Sequence, residues 1–340
     1  MSMQVQEQFE VVYINEEQTA ATFKFYREDH TLANVLRYPF SFSNRIFKAR
    51  EQGFTEVVCS SGGNAGLATA YSAMQLGMNC HIVVTRRTPS DVCECIRSYG
   101  ATVEIFGDVW EEANSQAIKR TTISKTSYLV HPFDHPVLWE GHSKIIDEIA
   151  EDLGSVVPSM IVTCCGGGGL VCGLVKGVRR QANWQDRTKI LVLETVGTDS
   201  FNVAVKAGGE PVRLDKITSI VTCLSANEVC PQILDDFKAS KPPILSRLVS
   251  DQDAVQACVK FLDDHRFLVG TACGATLSSL YIGMLQRILN HDEQEHETIF
   301  DKANNLDYSH NTDGPVVVII CGGSEIQLDS LLELRKQFNC

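Results

Sequence analysis

Three short runs in this 340-residue chain place glycine and small polar groups where chemistry could be done. Each follows a continuous apolar stretch that reads as a buried strand. In VVCSSGGNAG, the residues Ser60, Ser61, Gly62 and Gly63 form a turn that hands over to a helix beginning near Asn64. Glycine there lets peptide N–H groups approach an anion at the positive end of a helix dipole, and a carboxylate is a natural guest. A plain strand-to-helix reversal explains that turn equally well. In IVTCCGGGGL, four consecutive glycines, Gly166, Gly167, Gly168 and Gly169, exceed what one reversal needs. Each loses backbone entropy on ordering, so the run reads as a nest for phosphate oxygens. No Gly-Lys-Ser/Thr follows, and the dinucleotide spacing is absent, so a phosphate on a small cofactor fits better than a nucleotide. In VVVIICGGS, Cys321 and Ser324 stand at the C-terminal end of a strand, where open α/β sheets bind ligands. A thiol there can face a ring nitrogen, although cysteine is often buried for packing alone. The three turns together describe a cleft for a carboxylate, a phosphate and a heteroaromatic ring.

The elements that would carry these turns alternate between strand and helix from about residue 45 onward. NRIFKAREQGF reads as a helix ending near Gly53, TEVVCSS as a strand and NAGLATAYSAMQLGM as a helix. CHIVVT, PSDVCECIRSYG, ATVEIFG and WEEANSQAIKRTTIS continue the pattern. A second block follows, with strands SMIVTCC, ILVLETVG and PVVVIICGG and helices LVCGLVKGVRRQA, DQDAVQACVKFLDDH and ATLSSLYIGMLQRIL. Alternation of this kind indicates parallel sheets with crossover helices, an α/β fold. The polar stretch HDEQEHETIFDKANNLDYSHNTDG reads as an exposed loop. The start of the chain differs. VQEQFEVVYINEEQTAATFKFYRED alternates like an antiparallel hairpin, and DHTLANVLR reads as a helix start capped by Asp29 or Thr31. This segment does not read as the first unit of the same sheet.

Lys and Arg total 30 against 42 Asp and Glu, a net charge of −12, which argues against nucleic acid or an anionic membrane as the main partner. Thirteen cysteines are an odd and high count. Several lie in apolar or Gly-rich runs, and no signal peptide or stretch of about 18 apolar residues is present, which favours a reducing cytoplasmic setting. Cys93 and Cys95 lack a second Cys/His pair at zinc spacing.

The segments SSGGNAG, GGGGL and CGGS, with HPFDHPVLWEGHSKI, LETVGTDSF, LVSDQDAV and TACGATLSSLY, resemble the fold-type II pyridoxal-phosphate enzymes. Within them the likeness is to the serine/threonine dehydratases, most closely those of animals, over about residues 44–340. The resemblance implies two lobes, each with a mainly parallel sheet and flanking helices, a small one over 44–138 and a large one over 139–340. It implies pyridoxal 5'-phosphate as cofactor and an amino-acid substrate, with β-elimination of serine or threonine giving, from serine, pyruvate and ammonia. Asn64 would bond the cofactor's phenolic oxygen, and Cys321 would face its ring nitrogen. Ser61, Gly62, Gly63 and Ala65 would hold the substrate carboxylate, and Gly166 to Gly169 the phosphate. Glu194 and the backbone near Thr198 would sit at a monovalent cation site. A cytoplasmic homodimer working in amino-acid metabolism and gluconeogenesis is the matching expectation.

The chain departs from the family pattern at the Schiff-base lysine. By local similarity Ser43 stands near its place, and counting back without a gap puts it nearer Tyr38; neither can form an imine. Lys48 follows Phe47 in a similar run, but at helical spacing it shares a face with Arg45 and Gln52 and reads as a surface lysine. Gly270 and Thr271 replace the usual Glu-Pro before Ala-Cys-Gly. Residues 1–43 stand apart from the family, and TFKFYREDHTLANVLRY within them resembles the small α-like subunits of RNA polymerases I and III. A lyase family member with little or no turnover is therefore expected, its first segment replaced by a fusion or a chimeric gene product. A catalytically silent cofactor or amino-acid binding protein is the alternative.

Overall fold

The computed structural model describes residues 9–15, 19–23, 35–36, 40–289, 314–323 and 326–340. The smaller sheet is built from β4 (Glu56–Cys59), β5 (Asn79–Val84), β6 (Thr102–Ile105) and β7 (Ser127–Val130). Its order is β6-β5-β4-β7, and all its pairings are parallel. The larger sheet contains β8 (Met160–Cys164), β9 (Lys189–Thr195), β10 (Ile244–Val249) and β11 (Val316–Ile320). These pair in parallel in the order β10-β9-β8-β11. Both sheets follow from crossover connections, which deliver each new strand in the direction of the last.

The N-terminal residues join this larger sheet, contrary to the sequence expectation. Strands β1 (Phe9–Asn15) and β2 (Thr19–Phe23) form the anticipated antiparallel hairpin, but β1 also pairs in parallel with β11, Val11 opposite Val318. The physical reason is the edge of β11, whose peptide groups need a partner strand once its side chains are buried. The helix expected over DHTLANVLR is also corrected in part. Val35–Leu36 form a short strand, β3, on β2, while Asp29 and Thr31 lie outside the described residues. Most of the polymerase-like run, Tyr38, Ser324 and the polar loop ahead of Gly314 lie outside them too.

Helix α1 (Phe40–Glu51) begins four residues before the expected start at Asn44. It packs against α2 (Asn64–Leu76), α5 (Pro136–Leu153) and β7. Helices α3 (Ser90–Ser98) and α4 (Trp110–Ile123) complete the flanks of the smaller sheet. Helix α6 (Gly169–Arg180) lies along α5, followed by α7 (Ser200–Lys206), α8 (Pro231–Ala239) and α9 (Asp251–His265). The single helix expected over ATLSSLYIGMLQRIL is two, α10 (Thr271–Tyr281) and α11 (Met284–Leu289), divided at Gly283 with φ of 71°.

The larger sheet is apolar on both faces, as a parallel sheet covered by helices must be. Val162, Leu191, Val318 and Ile320 enter one core with α9 and α10, while Ile161, Ile190, Val317 and Ile319 enter the other with α5 and α6. The smaller sheet packs Val57, Cys59, Ile82 and Val84 beneath α1 and α2. No helix among the described residues is long and apolar enough to cross a membrane.

Candidate active site

The C-terminal ends of β4, β8 and β11 open onto one cavity of about 270 Å³. All three glycine turns line it: Ser61 to Ala65 after β4, Gly166 to Gly169 after β8, and Cys321 after β11. The sequence spreads these positions over 260 residues, and the two sheets bring them together.

Two helix N-termini face the cavity. The N-cap of α2 is Gly63 and that of α6 is Gly168, and neither position supplies a side-chain cap. Helix N-termini of this kind present peptide N–H groups to an anion. Beside the first, Ser61 Oγ accepts the Gly63 N–H at 3.2 Å and holds the turn. Trp110 Nε1–H donates to the Ser60 carbonyl at 2.6 Å, and Ser60 Oγ donates to Asn114 Oδ1 at 2.8 Å. Beside the second, a Cβ at Gly167 would fall inside the Phe133 ring, and one at Gly169 would sit 2.5 Å from the Phe133 carbonyl oxygen. Gly168 adopts φ of 94°, which favours glycine. No backbone carbonyl in a turn or loop among the described residues takes up the N–H of Gly166, Gly167 or Gly169, while the Gly168 N–H donates to the Cys165 sulfur. This cradle fits a phosphate group.

Among the described residues lining the cavity there is no lysine, and α1 contributes Phe42, which is 4% exposed. Ser43 turns away, its hydroxyl 2.8 Å from Ser72 Oγ on α2. Lys48 is exposed, as the sequence suggested. Arg45 departs from the surface face assigned to it: it is 4% exposed and donates to the carbonyls of Leu129 at 2.8 Å and His131 at 3.0 Å. Its guanidinium also lies 5.4 Å from the Tyr128 ring centre.

His131 Nδ1 accepts the Asp134 N–H at 2.9 Å, and its ring meets Phe133 edge-on at 4.7 Å and Trp110 at 5.6 Å. Burial, reinforced by the positive charge of Arg45, pushes His131 down to about 4. Burial alone pushes His142, which lines the cavity, down to about 4. Both rings are neutral at physiological pH.

Glu194 is fully buried at the end of β9, its oxygens accepting the N–H groups of Phe201 at 2.8 Å and Asn202 at 2.7 Å. Burial, opposed by these bonds, raises its carboxyl to about 8. Thr198 Oγ1 lies 2.7 Å from Thr195 Oγ1. Ser200 Oγ and Asn202 Oδ1 are buried with no hydrogen-bond partner. A cation accepting oxygen ligands would fit beside them. No group of three or more His, Cys, Asp or Glu among the described residues is arranged to hold a metal.

Several other cavity residues were missed by sequence reasoning. Cys223 bridges the two anion turns: its Sγ is 3.5 Å from where a Gly63 Cβ would lie, and its carbonyl is 3.0 Å from the same point on Gly166. His142 comes from the middle of α5. Arg87 and Thr88 come from the RRTP run after β5, and their place at a strand's C-terminal end was the signal that could have found them.

Residues 36–294 match the family model described as pyridoxal-phosphate dependent enzyme. The chain is 41% identical over 287 residues to the L-serine dehydratase/L-threonine deaminase of Mus musculus, covering 84% of this chain and 81% of that protein. It is 39% identical over 288 residues to the Homo sapiens protein of the same name, with coverage of 84% and 81%. The crystal structure of a fungal L-serine ammonia-lyase from Rhizomucor miehei superposes with a TM-score of 0.73 at 31% identity, covering 88% of this chain and 86% of that one. The chain that builds this cavity therefore belongs to the pyridoxal-phosphate-dependent enzyme family, among relatives named serine dehydratases.

Proposed function

We propose that this chain is a serine/threonine ammonia-lyase family member that holds pyridoxal phosphate without a covalent bond and turns serine over weakly or not at all. The observation that carries the reading is the shared cavity, with both anion cradles present and no lysine among its described lining residues. Gly166 to Gly169 would hold the phosphate, Asn64 the phenolic oxygen and Cys321 the ring nitrogen. Ser61, Gly62, Gly63 and Ala65 would orient the substrate carboxylate. Bound there, the cofactor supplies an electron sink for carbanion chemistry at the amino acid. Among the described lining residues there is no basic amine to take the α-proton, and His142 is neutral and weakly basic after burial. Phe42 and Phe133 wall the cavity with apolar surface.

The reading extends to residues 1–43, 44–138 and 139–340 as N-terminal segment, small lobe and large lobe. It includes a monovalent cation at Glu194 and Thr198, supported by the unpartnered Ser200 hydroxyl beside them. A cytoplasmic homodimer drawing amino-acid carbon toward gluconeogenesis is the setting that suits it, and a chimeric origin accounts for the polymerase-like run at the start.

The test is the purified full chain with pyridoxal phosphate and L-serine. Cofactor binding without borohydride-trappable attachment, and pyruvate formation far below that of a lysine-bearing relative, is the expected result. Trapping of the cofactor on Lys48 with brisk pyruvate release would overturn it. Transcript sequencing across codons 30–50 tests the chimeric origin.

A further inference from the structure

The turn that follows β5 carries a charge for which the neutral substrate serine has no use. Arg87 lines the cavity and is the only Lys or Arg among its described lining residues. It is exposed, and no ion pair joins it to another described residue, whereas its neighbour Arg86 pairs with Asp108 at 3.0 Å. Asp108 is the only carboxylate on the described cavity lining, and Arg86 is paired with it. Among the described lining residues, Arg87 is left as the charge without an ion-pair partner.

Its position is fixed from both sides. Thr88 N–H donates to the Thr85 carbonyl at 3.1 Å, closing the turn, and Arg86 N–H donates to Gly107 at 2.9 Å. Thr88 packs directly on Gly62, so closely that a Cβ at Gly62 would overlap its side chain. Gly62 belongs to the turn assigned to the substrate carboxylate. Arg87 is therefore one residue from a side chain resting on that turn, on the lining of the same cavity.

We infer that Arg87 is a specificity-determining residue selecting α-amino acids with an anionic group on the β-carbon, a carboxylate or a phosphate ester, over neutral serine and threonine. This rests on the reading of the cavity as an amino-acid site and narrows its substrate class. A guanidinium offers a planar fork that matches either anion with paired N–H bonds. The rim is wet and the chain carries −12 overall, so the preference is local and screened by salt.

The experiment is titration calorimetry of the full chain saturated with pyridoxal phosphate, using L-serine, L-aspartate and O-phospho-L-serine, with cofactor loading read separately by absorbance. At low ionic strength at least one acidic ligand is expected to bind about three- to fivefold more tightly than serine, the scale of one exposed charge pair. Arg87→Gln should bring that ratio within about twofold of unity and Arg87→Lys should keep part of it. Salt at about 0.5 M should shrink it. Preference for aspartate alone identifies a carboxylate, and preference for phosphoserine alone a phosphate ester. Serine binding as tightly as both, or an unchanged ratio in Arg87→Gln, overturns the specificity while leaving the amino-acid site standing. Loaded protein that binds none of the three overturns both.

Discussion

Arg45 on α1 donates to the backbone carbonyl of His131, 86 residues away, at 3.0 Å, and to that of Leu129 at 2.8 Å. One buried guanidinium thus ties α1 to the strand end that leads into the aromatic wall of the cavity. The carbonyls of Leu129 and His131 lie at the end of β7, where the ladder of sheet bonds stops.

Arg45→Met keeps the apolar stem of that side chain and removes its donors. Leaving two buried carbonyls without them should destabilise the fold by about 2–4 kcal/mol in urea unfolding. Lys48→Ala, one turn away and exposed, should change stability by no more than about 0.5 kcal/mol.

Gly167→Ala forces a methyl group into the Phe133 ring. Overpacking of this kind costs about 1–3 kcal/mol, and moving either Phe133 or the loop spoils the phosphate cradle. Pyridoxal phosphate affinity, measured by fluorescence titration, should fall roughly tenfold or more. Loss of affinity with a melting temperature that stays near the parent's would place the effect on the cradle.

Glu194 gives a stability slope opposite to that of an ordinary paired carboxylate. Its carboxyl is raised by burial to about 8, above the unfolded value near 4.5. Between those pH values the folded chain binds the extra proton, so this residue's contribution falls as pH rises through 8. Glu194→Gln should flatten the loss of stability between about pH 5 and 8 relative to the parent, read from urea midpoints in lithium buffers. Potassium or ammonium in millimolar amounts should support the parent most at the alkaline end if a cation takes its place beside the carboxylate.

His131 and His142 act at the other end of the scale. Burial holds both near 4 when folded, below the usual 6.5. The unfolded chain then binds more protons between those values, so their contribution is full above about 6.5 and is lost as pH falls toward 4. His142→Phe should reduce the acid sensitivity of the melting temperature, and Arg45→Met should shift the His131 titration seen by NMR upward.

The sequence was most informative where chemistry and local geometry coincide. A buried strand, a glycine run and a helix occupy a dozen residues, so SSGGNAG and GGGGL were legible without tertiary information. Arg45 was misread because helical spacing reports which residues share a face, not which face turns inward. The pairing of Val11 with Val318 links residues at opposite ends of the chain, and no local pattern encodes it. Strands β7 and β10 escaped notice because SYLV is short and ILSRLV carries an arginine, Arg247, that is nevertheless 7% exposed. Arg87 belongs to no motif, and its significance comes from lying at the end of β5 with its neighbour's charge already matched.

The anion-holding half of this cavity is made of peptide N–H groups at two helix ends. Main-chain donors have no side chain that a point mutation can delete, so this half is inherited with the fold itself. A reacting group, by contrast, is one codon. Lineages carrying such a scaffold can lose or regain turnover by single substitutions while the capacity to seat a phosphorylated ring persists beneath, as a reserve on which new ligand preferences can be drafted.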